Sequence, residues 1–321
     1  MKTCHLALLL VFAIESYPQN SLPASLRSIP VSLFNDCPVN TNLYERDFAL
    51  SPSGDELFYT LQLPYDRSQT IIRLAKNERG QWGRPEVASF AGMYNSLEPA
   101  FTPGGERLYF SSDRPLSGNA PKDFDIWYVE KKQGKWGEPV NAGPIINSNG
   151  NEFYPSATSS GNLYFTAERK NGAGLEDIYL AKFIDGKFEA PVALDPAVNS
   201  KTYEFNAWVS PDEQLIIFTS FGREDDSGGG DLYMSKKDEK GNWQRAKNLS
   251  FLNSDKLDFC PFVSFDRKQL FFTSQRSDSH PTKSHKRTYE GLIHDYGGIY
   301  NGGGNIFWVS FEEVCRSFEK L

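Results

Sequence analysis

FTPGGERLYFSSDR, residues 101–114, decides how this chain is read, because the chain writes it five times. The other copies are LSPSGDELFYT at 50–60, TSSGNLYFTAER at 158–169, VSPDEQLIIFTSFGR at 209–223 and VSFDRKQLFFTSQR at 263–276. Registered on the aromatic that ends each apolar run, Tyr59, Phe110, Phe165, Phe218 and Phe272 lie 51, 55, 53 and 54 residues apart. A period near fifty marks a supersecondary unit that cannot bury its apolar face alone and must stack on its neighbours.

The second copy shows what a unit holds. A short extended stretch at 99–102 meets the turn signal Pro103-Gly104-Gly105. RLYFS at 107–111 is a compact run of strand formers, and DIWYVE at 125–130 is another. Gly134-Lys135-Trp136-Gly137 turns the chain into a fourth extended piece at 138–141. DIYLAKF (177–183), DLYMSK (231–236) and NIFWVSF (305–311) repeat the third strand, while GKFEAPVAL (186–194) and GNWQRAKNL (241–249) repeat the fourth. Four antiparallel strands per unit, apolar on both faces, predict an all-β chain folded as a β-propeller. A β-solenoid has far shorter repeats.

The ends give the blade number. The fifth unit stops after its third strand, whereas SIPVSL at 28–33 stands ahead of the first unit and matches the missing fourth piece. The N-terminal strand is therefore expected to complete the last blade and close the ring. Five blades follow, with six, one of them irregular, as the alternative. The propeller spans 28–311, and 312–321 is a short helix or tail.

Residues 1–20 read as a signal peptide without a clear cleavage site. Lys2 is followed by an apolar run at 5–14, far short of the roughly 20 residues that span a bilayer. An exported protein, periplasmic or secreted, is expected, with no transmembrane segment in the mature chain. A formal charge of −7 offers no basic surplus for a nucleic-acid backbone. Beyond the leader lie Cys37, Cys260 and Cys315. One disulfide, Cys37–Cys315 because both lie near the ends of the mature chain, and three inert thiols are both open.

The S-P-x-G-x-x-LYF-(S/T)-x-x-R string followed by D-I-Y resembles the WD-like β-propeller repeat of the TolB type, over nearly the whole of 28–311. The W-G-x-P-V-N…N-S-x-x-N-E pattern at 136–152 resembles repeats in exported proteins of Bacteroidetes-like bacteria. Such repeats imply fold rather than function. TolB's additional N-terminal α/β domain has no counterpart in this sequence.

Features present in every unit are most simply architectural; a feature in one unit needs a local reason. Arg114, Arg169, Arg223 and Arg276 read as clamps onto loop carbonyls, with a ligand role as the rival. Asp125, Asp177 and Asp231 read as turn caps, and Trp82, Trp136 and Trp243 as outer packing. Glu45, Glu152, Glu204 and Asp258 share one position ahead of the first strand, with Glu98 two places later in its unit. They are expected to ring one mouth of the channel, either locking adjacent blades or recruiting calcium or another cation; no other cofactor is expected. The loop 277–304, over twice the length of its equivalents, carries His280, His285, Arg287, Tyr289 and His294. Its histidines match no known zinc spacing.

No nucleophile elbow, H-E-x-x-H, P-loop or paired-cysteine motif is present. The leading expectation is a non-enzymatic, monomeric, exported propeller that binds an envelope protein or glycan on its loop-rich face. The rival is a glycosidase or lyase using carboxylates around the funnel, with Glu98, Glu152 and Glu204 as its candidates.

Overall fold

The computed structural model describes residues 29–277 and 288–321, except the side chains of His294 and Asp295. Five antiparallel sheets form five blades. Blade I comprises Tyr44–Leu50, Glu56–Gln62, Gln69–Ala75 and Glu86–Val87; blade II comprises Ser96–Phe101, Arg107–Ser112, Asp125–Lys132 and Val140–Asn141. Blade III holds Glu152–Ala157, Leu163–Ala167, Asp177–Ala181 and Val192–Ala193, and blade IV holds Tyr203–Val209, Leu215–Phe221, Asp231–Lys236 and Lys247–Asn248.

Blade V combines Asp258–Val263, Gln269–Ser274 and Asn305–Ser310 with Ser32–Leu33 from the other end of the chain. Ser32 pairs with Trp308 and Leu33 with Phe307, so the N-terminal strand closes the ring as its sequence implied. Each first strand touches the first strands on both sides, round the full circle. Five blades, not six, follow.

The apolar cores lie between blades rather than within them. Phe58 and Phe101 pack between I and II, Tyr109 and Phe165 between II and III, and Tyr164 and Phe218 between III and IV. The largest cluster joins IV, V and I, and both chain ends feed it. At the C-terminus, helix Phe311–Phe318 buries Phe311, Val314 and Phe318 at helical spacing, with Ser310 capping its first turn. A second helix, Tyr289–Gly297, lies inside the long loop and was not expected. Tyr289, Leu292, Ile293 and Tyr296 fall at helical spacing, yet Tyr289, Ile293 and Tyr296 face solvent; Thr288, which accepts from the Gly291 amide, is the signal that marks its start.

The turns between first and second strands need a residue at positive φ. Glycine supplies it at Gly54, Gly105 and Gly161, whereas Glu213 and Arg267 do so in blades IV and V. Glu213 is held there by Asn162 and Tyr164 of blade III, whose side chains donate to it at 2.9 and 2.8 Å.

One blade lacks a polar contact that two others have. Asn141 in blade II and Asn248 in blade IV donate to the aspartates that open their third strands, Asp125 and Asp231, at 2.8 and 2.7 Å. Ala193 takes the same register position in blade III. There Asp177 Oδ1 and the Tyr179 hydroxyl are buried without a protein partner. Ala193→Asn is expected to supply the amide and stabilise the fold by about 1 kcal/mol, read as a rise in urea midpoint at constant slope. An unchanged or lower midpoint would show that the side chain does not reach.

Candidate functional site

Strand direction defines two faces. First strands begin on the face that carries the loops between second and third strands and the connectors between blades; they end on the face of tight turns. We call these the loop face and the turn face.

Glu45, Glu152, Glu204 and Asp258 stand at the loop-face end, yet they form no open ring of carboxylates. All four are fully buried. Each reaches back four residues to a hydroxyl residue in its connector. Glu204 accepts from the Ser200 amide and hydroxyl, both at 2.7 Å, and Glu152 from the Ser148 amide at 3.1 Å and hydroxyl at 2.6 Å. Asp258 does the same with Ser254 and Glu45 with Thr41. Burial pushes the carboxyls of Glu45 and Glu152 above their ordinary range, against the pull of these donors.

The repeated arginines complete the clamp. Arg169, Arg223 and Arg276 pair with Glu152, Glu204 and Asp258 at 2.9–3.0 Å. The same guanidinium groups donate to the connector carbonyls of Ile146, Val198 and Leu252. Each also lies over the registered aromatic four or five residues earlier, Phe165, Phe218 or Phe272. Ser96 takes the acid's place in blade II, and there Arg114 grips the Phe90 carbonyl and Ser112 while lying over Phe110 and Trp127. Asn147, Asn199 and Asn253 finish the module, each bonding both backbone groups of the second residue in its third strand. The N-S…E pattern is thus a connector lock.

Glu98 belongs to a different column. Every first strand carries a bulge with a non-glycine residue at positive φ: Asp47, Glu98, Tyr154, Asn206 and Cys260. The bulges bring these five residues together on the propeller axis. Cys260 Sγ lies 2.7 Å from Asp47 Oδ1 and 3.4 Å from Asn206 Oδ1. Asn206 donates to Glu98 Oε1 at 3.2 Å, and the Tyr154 hydroxyl crosses to the Pro261 carbonyl at 2.9 Å. Arg46 bonds Asp47 at 2.9 Å and Glu98 at 3.1 Å. The cation beside these carboxylates is thus the chain's own guanidinium. Burial and then Asp47 raise the Glu98 carboxyl, with Arg46 opposing them. Burial, and after it Asp47, push the Cys260 thiol well above its ordinary range.

On the turn-face side of this cluster, a cavity of about 280 Å³ opens along the axis. Glu98 and Tyr154 lie at its inner end; Phe48, Trp208, Phe262 and Phe265 contribute to its walls. Arg267 and Asp212, paired at 3.3 Å, stand at its rim. Nothing in the repeat pattern announced this cavity.

The loop face is apolar in a different manner. Tyr65 (99% exposed), Met93 (83%), Leu116 (67%) and Tyr289 (74%) project from loops on that face, as do Ile145 and Leu175. His280, His285 and Arg287 lie outside the described residues; His294 falls within the helix, its side chain likewise outside them. Among the described residues, no group of three or more His, Cys, Asp or Glu side chains is placed to hold a metal ion, and no helix is long and apolar enough to cross a membrane. Cys37, Cys260 and Cys315 are free thiols, so the Cys37–Cys315 bridge is not formed. Cys260 sits on the axis among polar groups, while Cys37 and Cys315 pack in the apolar cluster that joins the ends.

No family model matches the chain, and no curated protein matches it. Solved structures do resemble it. A TolB protein of Agrobacterium tumefaciens superposes with a TM-score of 0.50 at 14% identity, covering 87% of this chain and 97% of that one. A glycoside hydrolase gives 0.51 at 9%, covering 78% and 88%. The catalytic domain of a Coprinopsis cinerea GH62 α-L-arabinofuranosidase gives 0.49 at 11%, covering 88% and 97%. At such identities the likeness is one of fold, not of activity. In fold, the chain is a five-bladed β-propeller, similar to that TolB structure.

Proposed function

We propose that the protein is a non-enzymatic, exported propeller that binds a protein partner through its loop face. The observation that carries this reading is the set of large apolar side chains exposed there, led by Tyr65, Met93, Leu116 and Tyr289. They come from loops and connectors of different blades carried on one ring, so a single partner can engage several at once. Aromatic and methionine side chains of this kind supply most of the energy at protein interfaces. The leader-like segment at 1–20 supports export.

The rival reading, glycan hydrolysis, needs two carboxylates open to a cleft and unequal in their surroundings. Glu152 and Glu204 are fully buried and consumed by connector amides and arginines. Glu98 accepts four hydrogen bonds. This favours binding over turnover.

The triple variant Tyr65→Ser, Met93→Ser, Tyr289→Ser is expected to melt like wild type but to lose capture of an envelope-fraction protein that wild type and Arg267→Ser both retain. Undiminished capture by the triple variant sinks the loop-face reading. Release of sugar from a polysaccharide panel by wild type, lost in Glu98→Gln, would establish the rival.

A further inference from the structure

We propose that the axial cavity on the turn face is a second binding site, separate from the loop face, for a quaternary ammonium group. Three observations converge on that chemistry.

The walls come first. Phe48, Trp208, Phe262 and Phe265 surround the cavity. Aromatic faces carry negative charge density, and a cation enclosed by several of them is held by their quadrupoles.

Charge comes second. The inner end holds one guanidinium, Arg46, against two carboxylates, Asp47 and Glu98, which leaves it one unit negative when both are ionised. Among the described residues, the charged pair at the rim, Asp212 and Arg267, bond one another and cancel. An anion entering this space meets repulsion from the floor, whereas a cation meets attraction from the floor and can pack against the aromatic walls.

The third observation selects among cations. Glu98 Oε1 accepts from Arg46 at 3.1 Å and Asn206 at 3.2 Å, while Oε2 accepts from Ser111 at 3.1 Å and the Tyr154 amide at 2.7 Å. Its acceptor capacity is spent. The Tyr154 hydroxyl is committed to Pro261. At the inner end a primary ammonium would surrender hydration for three N–H donors and find Glu98 and the Tyr154 hydroxyl already committed, a loss that buried polar groups do not recover. A trimethylammonium has no N–H. It gains the through-space field and the ring faces at little desolvation cost, and its methyl surface suits apolar walls. A cavity of about 280 Å³ lies near the lower end of ligand-binding clefts, a size fitted to such a head group with a short tail.

Calorimetric titration of the full chain tests the assignment with choline, its neutral carbon isostere 3,3-dimethylbutan-1-ol, and the anion 3,3-dimethylbutanoate. Choline is expected to bind at least about tenfold more tightly than the neutral isostere, as a partly desolvated cation–π site requires, and the anion to give no heat. Phe265→Ala, at the half-buried rim, should weaken choline by about fivefold or more while the chain still unfolds in one cooperative transition. Ala157→Phe should fill the cavity and abolish binding. Equal affinity for choline and its isostere overturns the proposal, as does absence of choline binding. Choline affinity unchanged in both variants overturns it too.

Discussion

Phe34→Ala is expected to be the most damaging single truncation, costing about 3–5 kcal/mol and lowering the melting temperature by roughly 10 °C. Phe34 follows the closing strand, and its ring stands 5.2 Å from Phe48 of blade I and 5.2 Å from Phe271 of blade V. Its amide donates to the Ile306 carbonyl at 3.0 Å, and its own carbonyl accepts from Asn40 at 2.9 Å. Asn40 also donates to Ile306 and accepts from its amide. One ring thus fills the seam where the circle is fastened, with hydrogen bonds on either side. Removing the ring leaves a cavity between two blades that the other blades prevent from closing up. Removal of residues 1–34 should go further and leave no cooperative thermal transition. A melt indistinguishable from wild type in either variant would mean that the ring is held shut by other contacts.

The second large effect is expected at Arg46. Replacing it by methionine removes the guanidinium that serves both Asp47 and Glu98 and strands two carboxylates on the axis. Breaking a buried ionic group in this way costs about 3–5 kcal/mol. The loss should depend on pH. Glu98 already titrates above its ordinary range because it is buried beside Asp47, with Arg46 pulling the other way. A carboxyl raised in the folded state holds its proton there at pH values where the unfolded chain has released it. Its contribution is therefore fully present below the ordinary carboxylate range and is eroded as pH climbs through the raised value. Without Arg46 that erosion deepens, so Arg46→Met should be more destabilised at pH 8 than at pH 5. Adding Glu98→Gln should recover about 1–3 kcal/mol of the loss. A pH-independent loss with no recovery would mean that Arg46 acts through its packing on Phe259, 5.2 Å away, rather than through its charge.

The fold was legible because its determinants are periodic. The LYF-type strands, the turn with glycine at Gly54, Gly105 and Gly161, and the duplicated fourth strand each recur at one spacing. The closing strand was legible as a fragment lacking its unit. The site was legible only in part. Glu45, Glu152, Glu204 and Asp258 do share one position, but a sequence shows that acids are aligned, not whether their oxygens face a channel or a connector amide. The answer lay in Thr41, Ser148, Ser200 and Ser254, each four residues upstream. Glu98 resisted alignment for a physical reason: it belongs with Asp47, Tyr154, Asn206 and Cys260, a column whose only shared property is a positive φ. Five different side chains at one backbone geometry carry no repeat signal, and the positions that differ are those that meet on the axis. The cavity was invisible for the same reason, being built from the ends of several strands. Helix Tyr289–Gly297 does place Tyr289, Leu292, Ile293 and Tyr296 at helical spacing, but over nine residues with a glycine-rich flank that period is too short to stand out.

Closure by the N-terminal strand also sets an order of events during synthesis. Residues 32–34 leave the ribosome before their partners at 306–308, so the pair must wait until every blade between them has been made. Until then the growing arc presents two unpaired sheet edges, the condition in which nascent β chains add to one another. Rejoining the backbone so that synthesis begins in a connector between intact blades would remove that wait. Such a circular permutant should mature faster and aggregate less during refolding, while its finished ring keeps the same contacts.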